Sequence, residues 1–505
     1  MLRIRFTAAL AVILVILVIL VVPTAGAAPG KVIKRKAGEV ELSRGTLALA
    51  SGQTLAFELG TLYVPENRTA PGSRIIGVGF ARLKAARPTG APPIFMLPGG
   101  PGVSYLDAFV TGVADDWLAH VTPYLSAGDV IVVDQRGFSK RGDVLLATAP
   151  RFPLDQASTS AANAASDIAL ARQAIAAHRD KDLAGYTIVQ LAADVDDLRK
   201  ALGYRQITLS GQSFGSQWAF AVMRLYPQTV ARALLSGVEP LDAAYDLPAH
   251  VIAAVQRIAW DGDRDPGLAP YLPTGGVMAA IRAVHDRLVR APITITVAAA
   301  AGGKPQTVTL GLADFQKWLL RSGRTLPAYV LSLYHRRYDD WAREVIDWRQ
   351  HAEPVELIQP LIDTSLGVPA TREHQLRTDP AADLLGDHDF APQLASASTW
   401  PTQDVGAKLH APVQSPIPVL FIHGDWDTST PIDNTFAILP YFPNGRALIV
   451  RRAGHHSRGQ LFAQRADVLK QVNAFLASGS TQGLPTEVTL AAPAFELPAF
   501  PAPRP

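Results

Sequence analysis

The run Gly211-Gln212-Ser213-Phe214-Gly215, near the middle of the 505-residue chain, constrains the fold more than any other feature. The segment 207–210 before it, with Ile207 and Leu209, is typical of a buried strand, and residues 216–226 after it have helical spacing. A G-x-S-x-G pattern between a strand and a helix is the sequence form of a sharp turn that exposes a serine hydroxyl. We therefore predict that Ser213 is a nucleophile; a glycine-rich structural turn is the alternative.

Strand and helix patterns alternate on both sides of this run. A helical pattern at residues 193–202, for example, precedes the strand before the serine. Such alternation indicates a mostly parallel, doubly wound α/β sheet. The strands predicted for this sheet cover residues 75–83, 94–97, 130–133, 207–210, 419–422 and 447–450.

The predicted core is divided in the sequence by an insertion. Residues 246–398 show helices with few strands, as when Val277, Ile281, Val284 and Leu288 fall on one helical face, so we predict a helical cap there. Short alternating stretches at 54–59 and 61–64 predict strands of a hairpin region. The predicted regions are a basic tail and N-terminal strand region at 28–70, the core at 71–245 and 399–480, the cap at 246–398, and a proline-rich tail at 481–505.

The first 27 residues have the layout of a secretory signal peptide. Arg3 and Arg5 precede fifteen apolar residues at 8–22, and Ala25-Gly26-Ala27 follows as a small-residue cleavage site. The apolar run is shorter than the roughly 20 residues that span a bilayer, so a retained membrane anchor is the less favoured alternative. We expect an exported protein, periplasmic or extracellular, without stable membrane association after signal cleavage.

Charge and cysteine content exclude several classes of function. The net charge of +3 falls to +1 when residues 1–27 are removed, so the body has no cationic surplus for nucleic-acid binding. The chain has no cysteine, which excludes disulfides, thiolate catalysis and cysteine metal ligation. We expect no nucleic-acid partner, no metal and no organic cofactor.

Two later segments offer partners for the serine, which needs a general base that is itself oriented by a carboxylate. The predicted strand at 419–422 leads into a loop with Asp425 and Asp427, and the loop after the next strand contains His455 and His456. The order serine, acid, histidine is that of the G-x-S-x-G hydrolases. Position in the loops favours Asp427 and His455, but nothing in the physical chemistry excludes Asp425 or His456. The alternative is that these residues are surface loop acids and a solvated histidine pair.

A glycine-rich loop and a charged turn end two earlier strands. Leu97-Pro98-Gly99-Gly100-Pro101-Gly102 lacks bulky side chains, so its backbone N–H groups can approach a substrate closely, and we expect an oxyanion donor there. A simple turn is the alternative. Asp134-Gln135-Arg136-Gly137 is expected to buttress the loops through a charge pair.

These segments together match a set of family motifs. The motifs are a G-G-P-G loop, a D-Q-R-G turn, G-x-S-[YF]-G, G-x-x-D-x-x-T-P and a late G-H. Gly424, Asp427, Thr430 and Pro431 fit the fourth motif, and Gly454-His455 fits the fifth. The chain therefore resembles the proline iminopeptidase and tripeptidyl aminopeptidase family of serine peptidases, over about residues 60–480.

The resemblance implies an α/β-hydrolase fold and a role for each matching residue. Ser213 would be the nucleophile, Asp427 the orienting acid and His455 the base, with the N–H groups of Gly100 and Phe214 as the oxyanion hole. In the family, acidic residues near the cap hold the free amino group of the substrate. Glu239 and Asp242 are the candidates here, and solvated loop acids are an equal alternative.

The expected function is that of an exported serine exopeptidase that releases amino-terminal residues from peptides through an acyl-enzyme. Its partner would be a peptide with a free N-terminus. An esterase or lipase with the same triad is the nearest alternative, because the fold does not determine the acyl group or the leaving group. A non-catalytic binding protein with this fold is a third and less favoured alternative.

Overall fold

The computed structural model describes residues 35–49, 52–298, 304–320, 323–351, 353–388 and 390–502. The predicted signal peptide at residues 1–27 lies outside these ranges, as does the start of the predicted basic tail. Within them, no helix combines the length and the apolar character that crossing a membrane requires.

The described residues form strands and α-helices in alternation. The strands are β1 (Val40–Ala48), β2 (Thr54–Pro65), β3 (Ile75–Leu83), β4 (Ile94–Leu97), β5 (Val130–Val133), β6 (Leu146–Thr148), β7 (Ile207–Gln212), β8 (Val230–Ser236), β9 (Ile293–Val297), β10 (Gln306–Leu310), β11 (Pro354–Glu356), β12 (Val419–Gly424), β13 (Arg446–Arg451) and β14 (Glu487–Thr489). The helices are α1 (Asp107–Thr111), α2 (Leu118–Val121), α3 (Ser160–Ala177), α4 (Ile188–Ala201), α5 (Phe214–Leu225), α6 (Pro248–Gly262), α7 (Gly276–Arg290), α8 (Leu312–Trp318), α9 (Leu326–Tyr334), α10 (Asp339–Gln350), α11 (Ile358–Leu366), α12 (Ala370–Thr378), α13 (Ala382–Leu385), α14 (Ala391–Ser396), α15 (Asp433–Ile438), α16 (Ser457–Gln464) and α17 (Ala466–Ser478).

The main sheet has the strand order β1-β2-β3-β5-β4-β7-β8-β12-β13-β14. The pairs β1/β2, β2/β3 and β3/β5 are antiparallel, and every pair from β5 to β14 is parallel. This confirms the mostly parallel sheet predicted from the sequence. Because β7, β8, β12 and β13 are neighbours, the loops at their carboxyl ends meet at one edge of the sheet, where ligands bind in open α/β folds.

Apolar side chains cover both faces of this sheet. In β5, Ile131 and Val133 belong to the core on one face, with α4 and α5, while Val130 and Val132 belong to the core on the other, with α16 and α17. Successive strand side chains point to opposite faces, so a continuous apolar run is buried on both sides. Helices therefore pack on both faces of the sheet, and they support the edge at which the loops after β7, β8, β12 and β13 meet.

The region 246–398 has a hydrophobic core of its own. Buried side chains of α6, α7, α9 and α10 form it, together with residues of the antiparallel pair β9/β10. Trp426, from the loop after β12, is 5% exposed and belongs to the same cluster. The predicted acid loop is thus anchored in the inserted region through the residue beside Asp427.

Two segments near the ends of the core contain structure that the sequence pattern did not predict. The stretches predicted as separate strands at 54–59 and 61–64 are one strand, β2, because Gly60 leaves the space that the ring of its cross-strand partner Phe80 fills. Part of the predicted proline-rich tail is structured, because β14 pairs with β13 and buries Val488. Phe495 follows it and lies with its ring centroid 5.9 Å from that of Trp426.

Candidate active site

The chain turns sharply at Ser213, directly after β7. Its φ and ψ angles are 58° and −134°, a combination that residues with a side chain rarely adopt. The Ser213 N–H donates to Ser236 O of β8 at 3.0 Å, and α5 begins at the next residue. A Cβ on Gly215 would overlap the carbonyl oxygen of Leu97, so this position accepts only glycine. Ser213 is partly exposed while both neighbours are buried, and its hydroxyl is the group that the turn presents.

The side chains of Asp427 and His455 are in hydrogen-bond contact. His455 Nδ1 lies 3.0 Å from each carboxylate oxygen of Asp427, and the Asp427 side chain is 1% exposed. The backbone N–H groups of Ser429 and Thr430 donate to Asp427 Oδ1 at 3.0 Å, and the Thr430 hydroxyl donates to Oδ2 at 2.9 Å. The structure thus brings the predicted acid and base together and fixes the carboxylate through its own loop.

The electrostatics of this pair favour the charged carboxylate. Burial alone would raise the pKa of Asp427, but the charge of His455 and hydrogen bonds from His423 and His455 outweigh it and hold the pKa well below its usual range. Burial likewise would lower the pKa of His455, but Asp427 outweighs it and raises that pKa. No sequence pattern singled out His423, a fully buried residue whose Nε2 is 2.7 Å from Thr430 O.

The neighbouring acid and histidine have other partners. Asp425 accepts a hydrogen bond from the backbone N–H of Arg452 at 2.7 Å, and its other oxygen is 3.4 Å from the Arg451 guanidinium. His456 Nδ1 is 2.8 Å from Gln212 Nε2. Of the two pairs left open by the sequence, the geometry therefore supports Asp427 with His455.

Ser213 and His455 are placed on facing loops without a hydrogen bond between their side chains. Among the residues that the structure describes, no hydrogen bond of 3.5 Å or less joins Ser213 Oγ to a nitrogen of His455. The histidine ring packs against Gly237, where an added Cβ would lie 3.0 Å from His455 Cε1. Because Nδ1 is turned to Asp427, Nε2 is the nitrogen left to accept a proton, and such contacts often tighten only when substrate binds.

The glycine-rich loop after β4 lies against the nucleophile. A Cβ on Gly99 would be 3.1 Å from Ser213 Cβ, so Gly99 contacts the nucleophile. Gly100, the predicted oxyanion donor, is the next residue of the loop. Gln135, unassigned by the sequence, holds this loop from both ends: its Nε2 donates to Gly99 O at 2.7 Å and its Oε1 accepts from Gly102 N at 2.8 Å. The N–H groups of Gly100 and Phe214 remain the predicted oxyanion donors.

The turn that contains Gln135 is held by the expected charge pair. The Arg136 guanidinium donates to both carboxylate oxygens of Asp194 on α4, at 2.7 and 2.6 Å, and both side chains are almost fully buried. It also donates to Glu66 O at 2.6 Å and Gly185 O at 2.9 Å. The prediction of a structural charge pair is confirmed, with a partner that local sequence could not supply.

Comparison with known proteins agrees with this architecture. A family model for the α/β-hydrolase fold matches residues 92–275, which include the glycine loop and the nucleophile turn. The chain has the α/β-hydrolase fold. A second family model, described as TAP-like protein, matches residues 383–487, which include Asp427 and His455. No curated protein matches the sequence.

Solved structures with similarity to this α/β-hydrolase fold include enzymes of several kinds. An esterase from Thermogutta terrifontis is 15% identical with a TM-score of 0.34, covering 82% of this chain and 97% of that one. An esterase from Exiguobacterium antarcticum is 12% identical with a TM-score of 0.34, covering 82% and 99%. A bromoperoxidase from Bacillus anthracis is 15% identical with a TM-score of 0.36, covering 82% and 99%.

The two acids predicted to bind an amine occupy different surroundings in this fold. Burial raises the pKa of Glu239 well above its usual range, and the nearby acids Asp246, Asp363 and Asp427 raise it further. Asp242 instead lines a cavity of about 410 Å³ together with apolar residues such as Phe220; none of the predicted triad residues lines it. Only Glu239 is therefore placed beside the candidate triad.

A smaller cavity of about 170 Å³ lies near the glycine loop. Its lining includes Glu356, Asp363 and Trp400, and the Glu356 side chain packs against Gly102. Burial raises the pKa of Asp363 to about 7. Among the described residues, Trp400 Nε1 is a buried donor without a hydrogen-bond partner. The lining of this cavity therefore includes the carboxyl groups of Glu356 and Asp363.

Proposed function

We propose that the chain is a serine peptidase that releases residues from the amino terminus of peptides. The observation that carries this proposal is the half-buried Glu239 beside the candidate triad, where the charged neighbours that shift its pKa are all acids. A carboxyl group in such a place lacks a countercharge, and the ammonium group of a peptide would supply one. The match of residues 383–487 to the TAP-like model and the resemblance to aminopeptidases support the same function.

The proposed chemistry is acyl transfer through Ser213. Its hydroxyl attacks the peptide carbonyl while His455 Nε2 accepts the hydroxyl proton, and Asp427 stabilises the resulting imidazolium through Nδ1. The N–H groups of Gly100 and Phe214 bind the oxyanion. His455 then protonates the leaving amine, the C–N bond breaks, and water hydrolyses the acyl-enzyme with the same base.

Glu239 and the neighbouring Asp363 would hold the amino-terminal part of the substrate. Glu239 and Asp363 would accept hydrogen bonds from the ammonium group. Binding a cation would also favour the ionised form of Glu239, which burial disfavours. A peptide with an acetylated N-terminus would leave these carboxyl groups uncompensated and bind poorly.

Glu239→Gln tests the proposal, with Asp242→Asn as the matched control because Asp242 lines a different cavity. The substrates are alanyl, dialanyl and trialanyl anilides with free or acetylated N-termini, and p-nitrophenyl acetate. A hydrogen bond to a charged group contributes about 1.5–3 kcal/mol, so E239Q should lose roughly 10- to 150-fold in kcat/KM on the best free-amine anilide. Turnover of the acetate and all activities of D242N should stay within about two-fold of the parent.

The same assays define the outcomes against the proposal. Strong turnover of the acetate with no cleavage of any free-amine anilide would indicate an esterase. Equal cleavage of free and acetylated anilides, unchanged by E239Q, would contradict the role of Glu239. Failure of Ser213 to react with a fluorophosphonate probe would contradict catalysis altogether.

The proposal includes export, because a signal peptide is predicted at residues 1–27. Expression with those residues should give a mature protein that begins after Ala27 and is found outside the cytoplasm. Amino-terminal sequencing of the processed protein would test this, and a full-length product retained in the membrane fraction would instead indicate an anchor.

A further inference from the structure

Gln212, the residue before the candidate nucleophile, joins two parts of the site that are far apart in the sequence. It is the last residue of β7, and its side chain is 4% exposed. Its Nε2 donates to His455 O at 3.2 Å and lies 2.8 Å from His456 Nδ1. We infer that Gln212 is a positioning residue, which fastens the loop of the base to the turn of the nucleophile and so sets the approach of His455 to Ser213. The inference rests on the triad of the proposed function, but not on a peptide as its substrate.

The hydrogen-bonding capacity of the Gln212 amide matches its surroundings. An amide nitrogen carries two hydrogens, and here it faces two acceptors, a carbonyl oxygen and an imidazole nitrogen. His456 must then be neutral at Nδ1. This agrees with the pKa of His456, which burial and the charge of His455 lower. Both hydrogens of the amide are therefore used to hold the segment that contains the base.

The opposite side of the amide is held by the helix that follows the base. Arg458 is 6% exposed and belongs to α16, which begins at Ser457. Its guanidinium donates to Ser210 Oγ at 2.8 Å and lies 3.5 Å from Gln212 Oε1. The Ser457 hydroxyl donates to Ile422 O of β12 at 3.2 Å. The histidine loop is thus attached on one side to the nucleophile strand and on the other to the strand before the acid.

The hydrogen bond from Gln212 to the histidine loop affects catalysis because Ser213 and His455 are not hydrogen-bonded to each other in this structure. Asp427 fixes the His455 ring at Nδ1, which leaves the position of the ring relative to Ser213 to the backbone of the loop. Gln212 binds that backbone at His455 O. A misplacement of about 1 Å at a reacting group reduces the rate roughly 100-fold, so small shifts of this loop matter.

The test replaces Gln212 without removing side-chain volume. Gln212→Met keeps the length of the side chain and removes both donors; Gln212→Glu keeps an acceptor for Arg458 but also loses the donors. We expect both variants to lower kcat and the rate of Ser213 labelling by a fluorophosphonate roughly 100-fold. KM should stay within about two-fold, because Gln212 does not line the cavity of about 170 Å³ near the glycine loop and acts through His455. p-Nitrophenyl acetate serves as substrate if no peptide is cleaved, so a failure of the peptidase proposal is seen separately.

A buried glutamine elsewhere provides the matched control. Gln190 on α4 is 6% exposed and accepts a hydrogen bond from Arg68, away from the loops of the triad. Gln190→Met should weaken folding as much as Gln212→Met, or more, and leave kcat per titrated active site unchanged. The inference is overturned if both Gln212 variants keep the parent kcat and labelling rate. It is also overturned if their losses vanish once activity is divided by the fraction of folded protein.

Discussion

Gly215 provides a strict test of the nucleophile turn, because a single methyl group at this position has no space. A Cβ there would overlap Leu97 O and lie 2.9 Å from the Leu97 carbonyl carbon and 3.0 Å from Pro98 O. All three atoms belong to the backbone, so none can rotate away as a side chain would. The substitution Gly215→Ala must therefore push the start of α5 away from the end of β4.

The expected size of the effect follows from that displacement. Separating the two elements by about 1 Å moves Ser213 relative to its base and reduces the reaction rate roughly 100-fold or more. Overpacking of this kind also destabilises the fold by about 1–3 kcal/mol. The rate of fluorophosphonate labelling at Ser213 measures the first effect, and urea unfolding measures the second.

Gly459→Ala is the matched control. Gly459 is an exposed residue of α16, and an added Cβ has no neighbour within 4 Å outside its own helix. Replacing glycine by alanine inside a helix stabilises it by roughly 0.5–1 kcal/mol, so this variant should be slightly more stable and fully reactive. A Gly215→Ala variant that reacts at the parent rate would refute the tight contact between α5 and β4, and with it our explanation of the turn.

Three other predictions concern the triad and its support. Ser213→Gly should be more stable in urea than Ser213→Ala by about 1–2 kcal/mol, because glycine relieves the backbone strain at a φ of 58°; equal stabilities would argue against that strain. Because Asp427 raises the pKa of His455 and the base must be neutral, kcat/KM should fall as the pH drops through a midpoint above 6.5, and a midpoint at or below 6.5 would contradict the assignment. Asp194→Asn leaves the buried charge of Arg136 uncompensated and should lower the free energy of unfolding by about 3–5 kcal/mol; a loss below 1 kcal/mol would show that the pair does not support the fold.

The strands and the nucleophile turn could be predicted because their signals are local. The β-branched run of β5 and the glycines around Ser213 report directly on burial and on close backbone approach. The choice between Glu239 and Asp242 could not be made in this way. Both follow β8 within six residues, and their surroundings depend on the turn at Gly237, whose φ is 51°, and on side chains from other elements.

The residues that support the site could not be predicted from the sequence either, because their roles also depend on distant parts of the chain. Gln135, Gln212 and His423 act through partners on other strands and loops, and a polar residue at the end of a buried strand has no periodic signature. The strand β14 was missed because three residues paired at a sheet edge are too short for an alternating pattern to stand out in a proline-rich segment. Such features are decided by tertiary packing.

The burial of Trp426 beside Asp427 has a practical consequence for anyone who shortens this protein. Its indole ring lies in the core of the inserted region and close to Phe495, which is 69 positions further along the chain. The acid loop and the carboxyl-terminal segment therefore pack together. Deleting the residues after α17 would remove β14 and expose one face of that indole. Expression designs should therefore retain the carboxyl-terminal segment through Phe495, and a redesigned insertion should keep the pocket that receives Trp426.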